Sequence, residues 1–253
     1  MRLFQLYCAT WLTLACVRQS QAEPNTCTIQ CQVLLDREIP GSPTVVVDKT
    51  PEVCGTNVTD ALLTGNGRAV KDAVIFLEFK DMPASSRPPK TTNESVFVRT
   101  EGCLFWPRIQ AARAGATLLL NSKDPTPHNP HGWHRNITAF NLTLLDPTMS
   151  FHRKLKMPGM YRIDCDTHKW MKAYVFAFDH PYFALTDENG RASITNVSNQ
   201  RFTVNVWHEV LGEKRVELGP MQTAVTNVVF VFPLEDKRKA DLKPVYSREW
   251  PPR

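Results

Sequence analysis

The heptad CDTHKWM, residues 165–171, holds a thiol at Cys165, an imidazole at His168 and a thioether at Met171. Upstream, the stretch NSKDPTPHNPHGWH at 121–134 carries His128, His131 and His134 among proline, asparagine and aspartate. A thiolate and two imidazoles in one plane, with a long thioether contact on the axis, make up the donor set of a copper electron-transfer site. Cys165, His168 and a histidine of the 128–131 loop would supply the plane, and Met171 the axis. Each residue also has a plainer reading. Cysteine is among the most buried residue types, so Cys165 alone would be an inert core thiol. Met171, Met157 and Met160 suit packing, His134 and His152 suit the surface, and Trp170 suits a shield that keeps the heptad dry.

The elements that must position these residues read as strands. The chain has 253 residues and 19 prolines. Apolar runs of four to eight residues, rich in Val, Thr and Phe, alternate with turn residues. TCTIQCQVLLD, TVVVD, AVIFLEF, SVFVR, CLFWPRIQAA, ATLLLNS, ITAFNLTLL, SFHRKL, YRIDC and KAYVFAF form a first unit. DMPASSRPPKTTNES, 81–95, is a proline-rich exposed loop. From Asp179 a second unit follows: FALTD, ASITNV, RFTVNVWH, EKRVELG and TAVTNVVFVF. At about 60 residues it is too small to bury much core alone, so it should pack on the first unit. The charged tail, 236–253, is expected to fray.

The first 22 residues read as a secretory leader cut after Ala22, with a lipoprotein cut before Cys16 as the lesser alternative. Losing Arg2 and Arg18 lowers the net charge from +5 to +3. The basic residues are scattered, which argues against a nucleic-acid partner. Five cysteines remain beyond the leader: Cys27, Cys31, Cys54, Cys103 and Cys165. An odd number in an exported chain is most simply read as two disulfides among the first four, with Cys165 kept as a thiolate. In an extended run Cys27 and Cys31 would sit roughly 13 Å apart, beyond bridging distance. Cys54 with Cys103 is therefore the first pairing expected.

GCLFWPRIQAARAGATLLLNSKDPTPHNPHGW followed by GMYRIDCDTHKWM resembles the cupredoxin, or plastocyanin-like blue-copper, family. Phe105 and Pro107, Gly115, Asn121 and Asp124, His128 and Asn129, then Cys165, His168 and Met171 stand in that family's order. CDTHKWMKAYVFAFDHPYFALTDENGR and VWHEVLG resemble an exported bacterial group in which such a domain precedes a carboxypeptidase-regulatory-like β-sandwich. The resemblance implies an all-β protein: a Greek-key cupredoxin sandwich over 23–178, with an N-terminal extension, followed by a small Ig/transthyretin-like sandwich over 179–235. It favours His128 over His131 as the loop ligand, and it gives Asn129 and Asp166 the role of fixing loop geometry. It also implies that one ligand imidazole lies near the surface as an electron exit. One spacing departs from the pattern: only Lys169 and Trp170 separate His168 from Met171, where plastocyanin-like proteins have four residues. That shorter spacing is similar to the binuclear copper domain of cytochrome oxidase. That site needs a second cysteine where this chain has Tyr161, so one copper ion is expected.

No G-x-S-x-G, H-E-x-x-H or P-loop is present, so the chain is not expected to be an enzyme. The leading reading is an exported, periplasmic or extracellular copper protein passing electrons to a redox partner protein. Copper storage or delivery is the alternative, and a non-redox, carbohydrate-binding or interaction protein the third. His180 and the pair His208–Glu209 are read as groups pinning the two units together, with a second metal site as the alternative.

Overall fold

The computed structural model describes residues 25–42, 44–59, 62–82 and 92–234. The leader, Cys16, most of the loop at 81–95 and the tail at 236–253 lie outside them. The described residues form eighteen strands and a four-residue helix, α1 (Pro51–Cys54). The all-β sandwich expected from the sequence is the fold.

Nine strands build the first sandwich. One sheet runs β11 (Ser150–Lys154), β8 (Thr117–Ser122), β5 (Ser95–Glu101), β6 (Leu104–Trp106). The facing sheet runs β10 (Ile137–Asn141), β9 (Pro130–His134), β12 (Gly159–Cys165), β13 (Lys172–Phe178), β7 (Ile109–Arg113). Strand side chains alternate between faces, so β12 sends Tyr161, Ile163 and Cys165 inward. There they meet Val98, Leu118 and Leu120 from the other sheet. CLFWPRIQAA is two strands, divided at the cis Trp106–Pro107 bond.

The second sandwich does not follow the expected boundary at 179. One of its sheets runs β15 (Arg191–Ser198), β1 (Thr26–Leu35), β18 (Val225–Phe232), and the other β14 (Phe183–Leu185), β4 (Val74–Phe79), β16 (Phe202–His208), β17 (Gly212–Leu218). β1 and β4 are thus drawn from the N-terminal part of the chain, and the first sandwich is inserted between β4 and β14. The physical reason is core size. The five late strands cannot enclose an apolar interior by themselves, whereas Ile29, Val33 and Leu35 of β1 and Ile75 and Leu77 of β4 complete it. Each such side chain contributes about 1.5–3 kcal/mol on burial.

Residues 74–77 of β4 and 173–178 of β13 read as unbroken apolar runs because each is covered on both faces. Val74 and Phe76 of β4 meet Tyr174, Phe176 and Phe178 of β13, with Trp207 between them, in a third core joining the sandwiches. The expected second disulfide does not form. Cys27 and Cys31 are buried free thiols on β1, which is held extended by antiparallel pairing with β15 and parallel pairing with β18. Burial pushes the Cys31 thiol up to about 12.

Between β1 and β4 the chain leaves the second sandwich to make β2 (Thr44–Val46), α1 and β3 (Asn57–Thr59). β2 and β3 pair only with each other, and this excursion lies against the first sandwich through Val47, Cys54 and Val58.

Candidate metal centre

The stretch read as a histidine-rich loop contains β9. Its signal was hidden because PHGWH has no run of apolar residues, yet it pairs with both β10 and β12. Gly132 makes this close packing feasible, since a Cβ there would lie 2.3 Å from the Phe140 ring. The register sets Pro130 opposite Cys165, so the residues just before β9 and those just after β12 meet at one end of the sheet. His128 is fixed by two backbone bonds with Leu144, at 2.9 and 2.8 Å. The Asp166 N–H donates to the Asn129 carbonyl at 3.1 Å and ties the two ligand loops together.

His128, Cys165 and His168 converge. Their ligand atoms all lie within 4.8 Å of one another. Nδ1 of His128 is 3.1 Å from Nδ1 of His168, which is 3.7 Å from the Cys165 sulfur. The two imidazoles are fully buried and Cys165 is 2% exposed. The sulfur accepts backbone N–H bonds from Asn129 and His168, each at 3.4 Å. Burial disfavours a Cys165 thiolate. The His128 hydrogen bond and the surrounding N–H groups outweigh it, holding the thiol below its ordinary value. In this chain without metal, burial lowers His168, aided by repulsion from His128. For His128 burial is outweighed by hydrogen bonds to Asp124 and Cys165, and its pKa rises.

Both rings are also held from behind. Nε2 of His128 lies 2.9 Å from the Asp124 carboxylate, which accepts N–H bonds from Gly102 (2.7 Å) and Cys103 (3.1 Å). A ring that donates through Nε2 presents an unprotonated Nδ1 to a metal, and a carboxylate partner raises its basicity. Nε2 of His168 lies 2.8 Å from the Thr50 hydroxyl and 3.9 Å from the Cys54 sulfur. Cys54 is disulfide-bonded to Cys103, with α-carbons 5.4 Å apart. At His168 the ring nitrogen expected near the surface as an electron exit is covered by the N-terminal excursion. Trp170, 7% exposed, donates its indole N–H to the Cys103 carbonyl at 2.9 Å and stands 5.2 Å from the His168 ring.

Met171 is fully buried in the same core. Its backbone closes the ligand loop, with its N–H donating to His168 (3.0 Å) and its carbonyl accepting from Cys165 (3.3 Å). His131, the alternative ligand, is turned elsewhere. Its Nδ1 faces Asp166 at 3.1 Å, its Nε2 faces Thr138 at 2.9 Å, and its ring stacks on Trp133. Asn129 anchors its loop by donating to the Leu142 carbonyl (2.5 Å) and to Asn141 (3.0 Å). His134 bonds the Pro158 carbonyl and stacks on Tyr161, and His152 is exposed on β11. Sequence reasoning set Asp124 in the family's order without a role behind His128, and it did not single out Thr50. Thr50 carries no local signal, because its contact spans more than a hundred residues.

Of the groups read as pinning the two units, Glu209 does so: it makes a bidentate ion pair with Arg108, at 2.5 and 2.9 Å. His208 and His180 instead accept N–H bonds from their own turns, at Val210 and Tyr182. A second grouping of ligand types, Cys103, Asp124 and His128, offers no thiolate while the disulfide stands.

No protein-family model matches the chain, and no curated protein matches it. Solved structures similar to it include a purple cupredoxin from Nitrosopumilus maritimus, 21% identical, covering 34% of this chain and 99% of that one at a TM-score of 0.29. Amicyanin from Paracoccus versutus is 19% identical and covers 38% of this chain and 85% of its own, at 0.30. A copper-containing nitrite reductase from Thermus scotoductus is 18% identical over 33% of this chain and 22% of its own, at 0.28.

Proposed function

We propose that this chain binds one copper ion, which Nδ1 of His128, Sγ of Cys165 and Nδ1 of His168 would hold with Met171 as a further ligand, and that it carries electrons to a redox partner protein. The observation that supports it best is the convergence of these three buried donors without any side chain having to move into place. A soft thiolate with two imidazoles suits copper over harder cations. The ion would supply a one-electron couple. The chain's own part is to hold the donors rigid on paired strands, to lock both rings through Asp124 and Thr50, and to exclude water with Trp170. Asn129 and Asp166 join the two loops. In this reading the protein is exported and performs no bond chemistry, and among the described residues no helix is long and apolar enough to cross a membrane.

Copper loading of the purified chain tests this. An intense thiolate-to-copper absorption band that disappears in Cys165→Ser supports the reading. Stoichiometric copper without such a band would overturn it. Copper storage is the second reading, and the absence of an exposed ligand ring favours it. A copper centre that takes up and returns one electron reversibly at an electrode favours the carrier, whereas one that is redox-silent favours storage.

A further inference from the structure

We propose that the Cys54–Cys103 disulfide is an exchange site for a dithiol reductant, and that its reduction lifts the segment Thr44–Thr59 off the face of His168. That His168 is a metal ligand rests on the function proposed above; the covering does not depend on it.

Four observations carry the inference. The segment leaves the second sandwich and returns to it, yet among the described residues β2 and β3 pair only with each other, so no sheet hydrogen bonds to the described strands hold it down. Of its sixteen residues only Val47, Cys54 and Val58 are buried. What fixes it over the imidazole is the disulfide, together with the 2.8 Å contact of Thr50 with Nε2 of His168. Both anchor points are conformationally costly: Thr50, a β-branched residue, has φ 49°, and Cys103 has φ 56°. Such left-handed conformations persist where surrounding contacts over-determine them, and they gather at sites that switch.

The two cysteines differ in exposure. Cys54 ends a one-turn helix whose other residues are exposed and is itself 9% exposed, while Cys103 is fully buried. A reductant thiolate therefore attacks the Cys54 sulfur. The S–S electron pair departs with Cys103, which takes up a proton. The second thiol of the reductant then displaces Cys54 as a thiol. Two electrons and two protons pass to the cysteine pair, and the reductant ends as a disulfide. Freed of its covalent anchor, the segment has, among the described residues, the packing of Val45, Val47, Val58 and the Cys54 side chain and the Thr50 hydrogen bond with which to stay closed. His128 is unaffected, because Asp124 holds it from within the first sandwich.

The test uses the full metal-free chain, dithiothreitol as the dithiol, and diethyl pyrocarbonate as the probe of imidazole access, read residue by residue by mass spectrometry. Under folding conditions, Cys54 and Cys103 should become open to alkylation while near-ultraviolet dichroism is retained. His168 should then be modified at least about tenfold faster, with His128 unchanged. Thr50→Val, which keeps the disulfide, should raise His168 reactivity by a smaller factor. If the disulfide yields only when the whole chain unfolds, or if it opens with no change at His168, the proposal fails. A chain that shows this uncovering but no copper absorption band would refute the copper reading and leave the exchange site standing.

Discussion

Both sandwiches bury the residue types from which metal sites are made, and among the described residues only the first brings them together. In the second, Cys27 and Cys31 are core thiols, His208 is 2% exposed and Glu209 1% exposed. Each is satisfied separately: the thiols by apolar neighbours, His208 by its own turn, and Glu209 by Arg108. In the first, Cys165, His128 and His168 point their donor atoms at one another while their other polar atoms are occupied from behind. What separates a candidate metal site from a set of buried polar residues is thus the direction of the spare lone pairs.

The sharpest way to break this contrast is to cut the ion pair that joins the two sandwiches and leave the donors alone. Arg108→Met takes the guanidinium away from the Glu209 carboxylate, and loss of one partner of a buried ion pair costs about 3–5 kcal/mol. Urea unfolding should register that loss, while copper uptake by the folded chain stays the same. A parallel loss of uptake would mean that the interface, rather than Asp124 and Thr50, sets the ligand geometry.

The next effect belongs to the first sandwich. Asp124→Asn should weaken copper binding by about 10- to 100-fold in competition with a chelator, with little change in fold. Unchanged affinity would show that the carboxylate behind His128 does not orient it.

His208 provides a pH test. Burial, aided by the Arg108 charge, lowers it from 6.5 to about 3. Between these values the unfolded chain carries a proton the folded chain lacks, so stability falls as pH falls through this window and is independent of His208 above it. The slope should be no steeper than ~1.4 kcal/mol per pH unit. Urea midpoints from pH 7 to pH 4 in native and His208→Gln chains would reveal it, and identical slopes would contradict the assignment.

The smallest effect separates the thiols. In the metal-free chain at pH 8, iodoacetamide should reach Cys165, whose thiol is held below its ordinary value, before Cys31, which burial raises to about 12. Equal labelling would erase the distinction between the two kinds of buried cysteine.

Much of the fold was legible because alternation and apolar runs report burial directly. β12, with alternate inward residues, and β13, apolar from Ala173 to Phe178, were both readable as strands, and their order around the heptad placed Cys165 at a strand end. β9 was missed because Gly132 and the polar residues of PHGWH give no apolar pattern; its strand character comes from its partners on either side. The division at 179 failed for a related reason. A strand's own sequence shows that a face must be buried, but not which sheet buries it, so β1 and β4 were assigned to their neighbours in sequence.

The sequence by itself determined the all-β class and a set of copper-type donors in a fixed order, because residue types and their spacing suffice for both. It could not determine what lies behind each imidazole. Asp124 reaches His128 across one short loop, but Thr50 and the Cys54–Cys103 bridge reach His168 from a segment that starts and ends in the other sandwich. Contacts between residues so far apart in the chain leave no local pattern, and only the tertiary structure, through the Cys54–Cys103 bridge and the Thr50 contact, decides that the His168 ring is closed in.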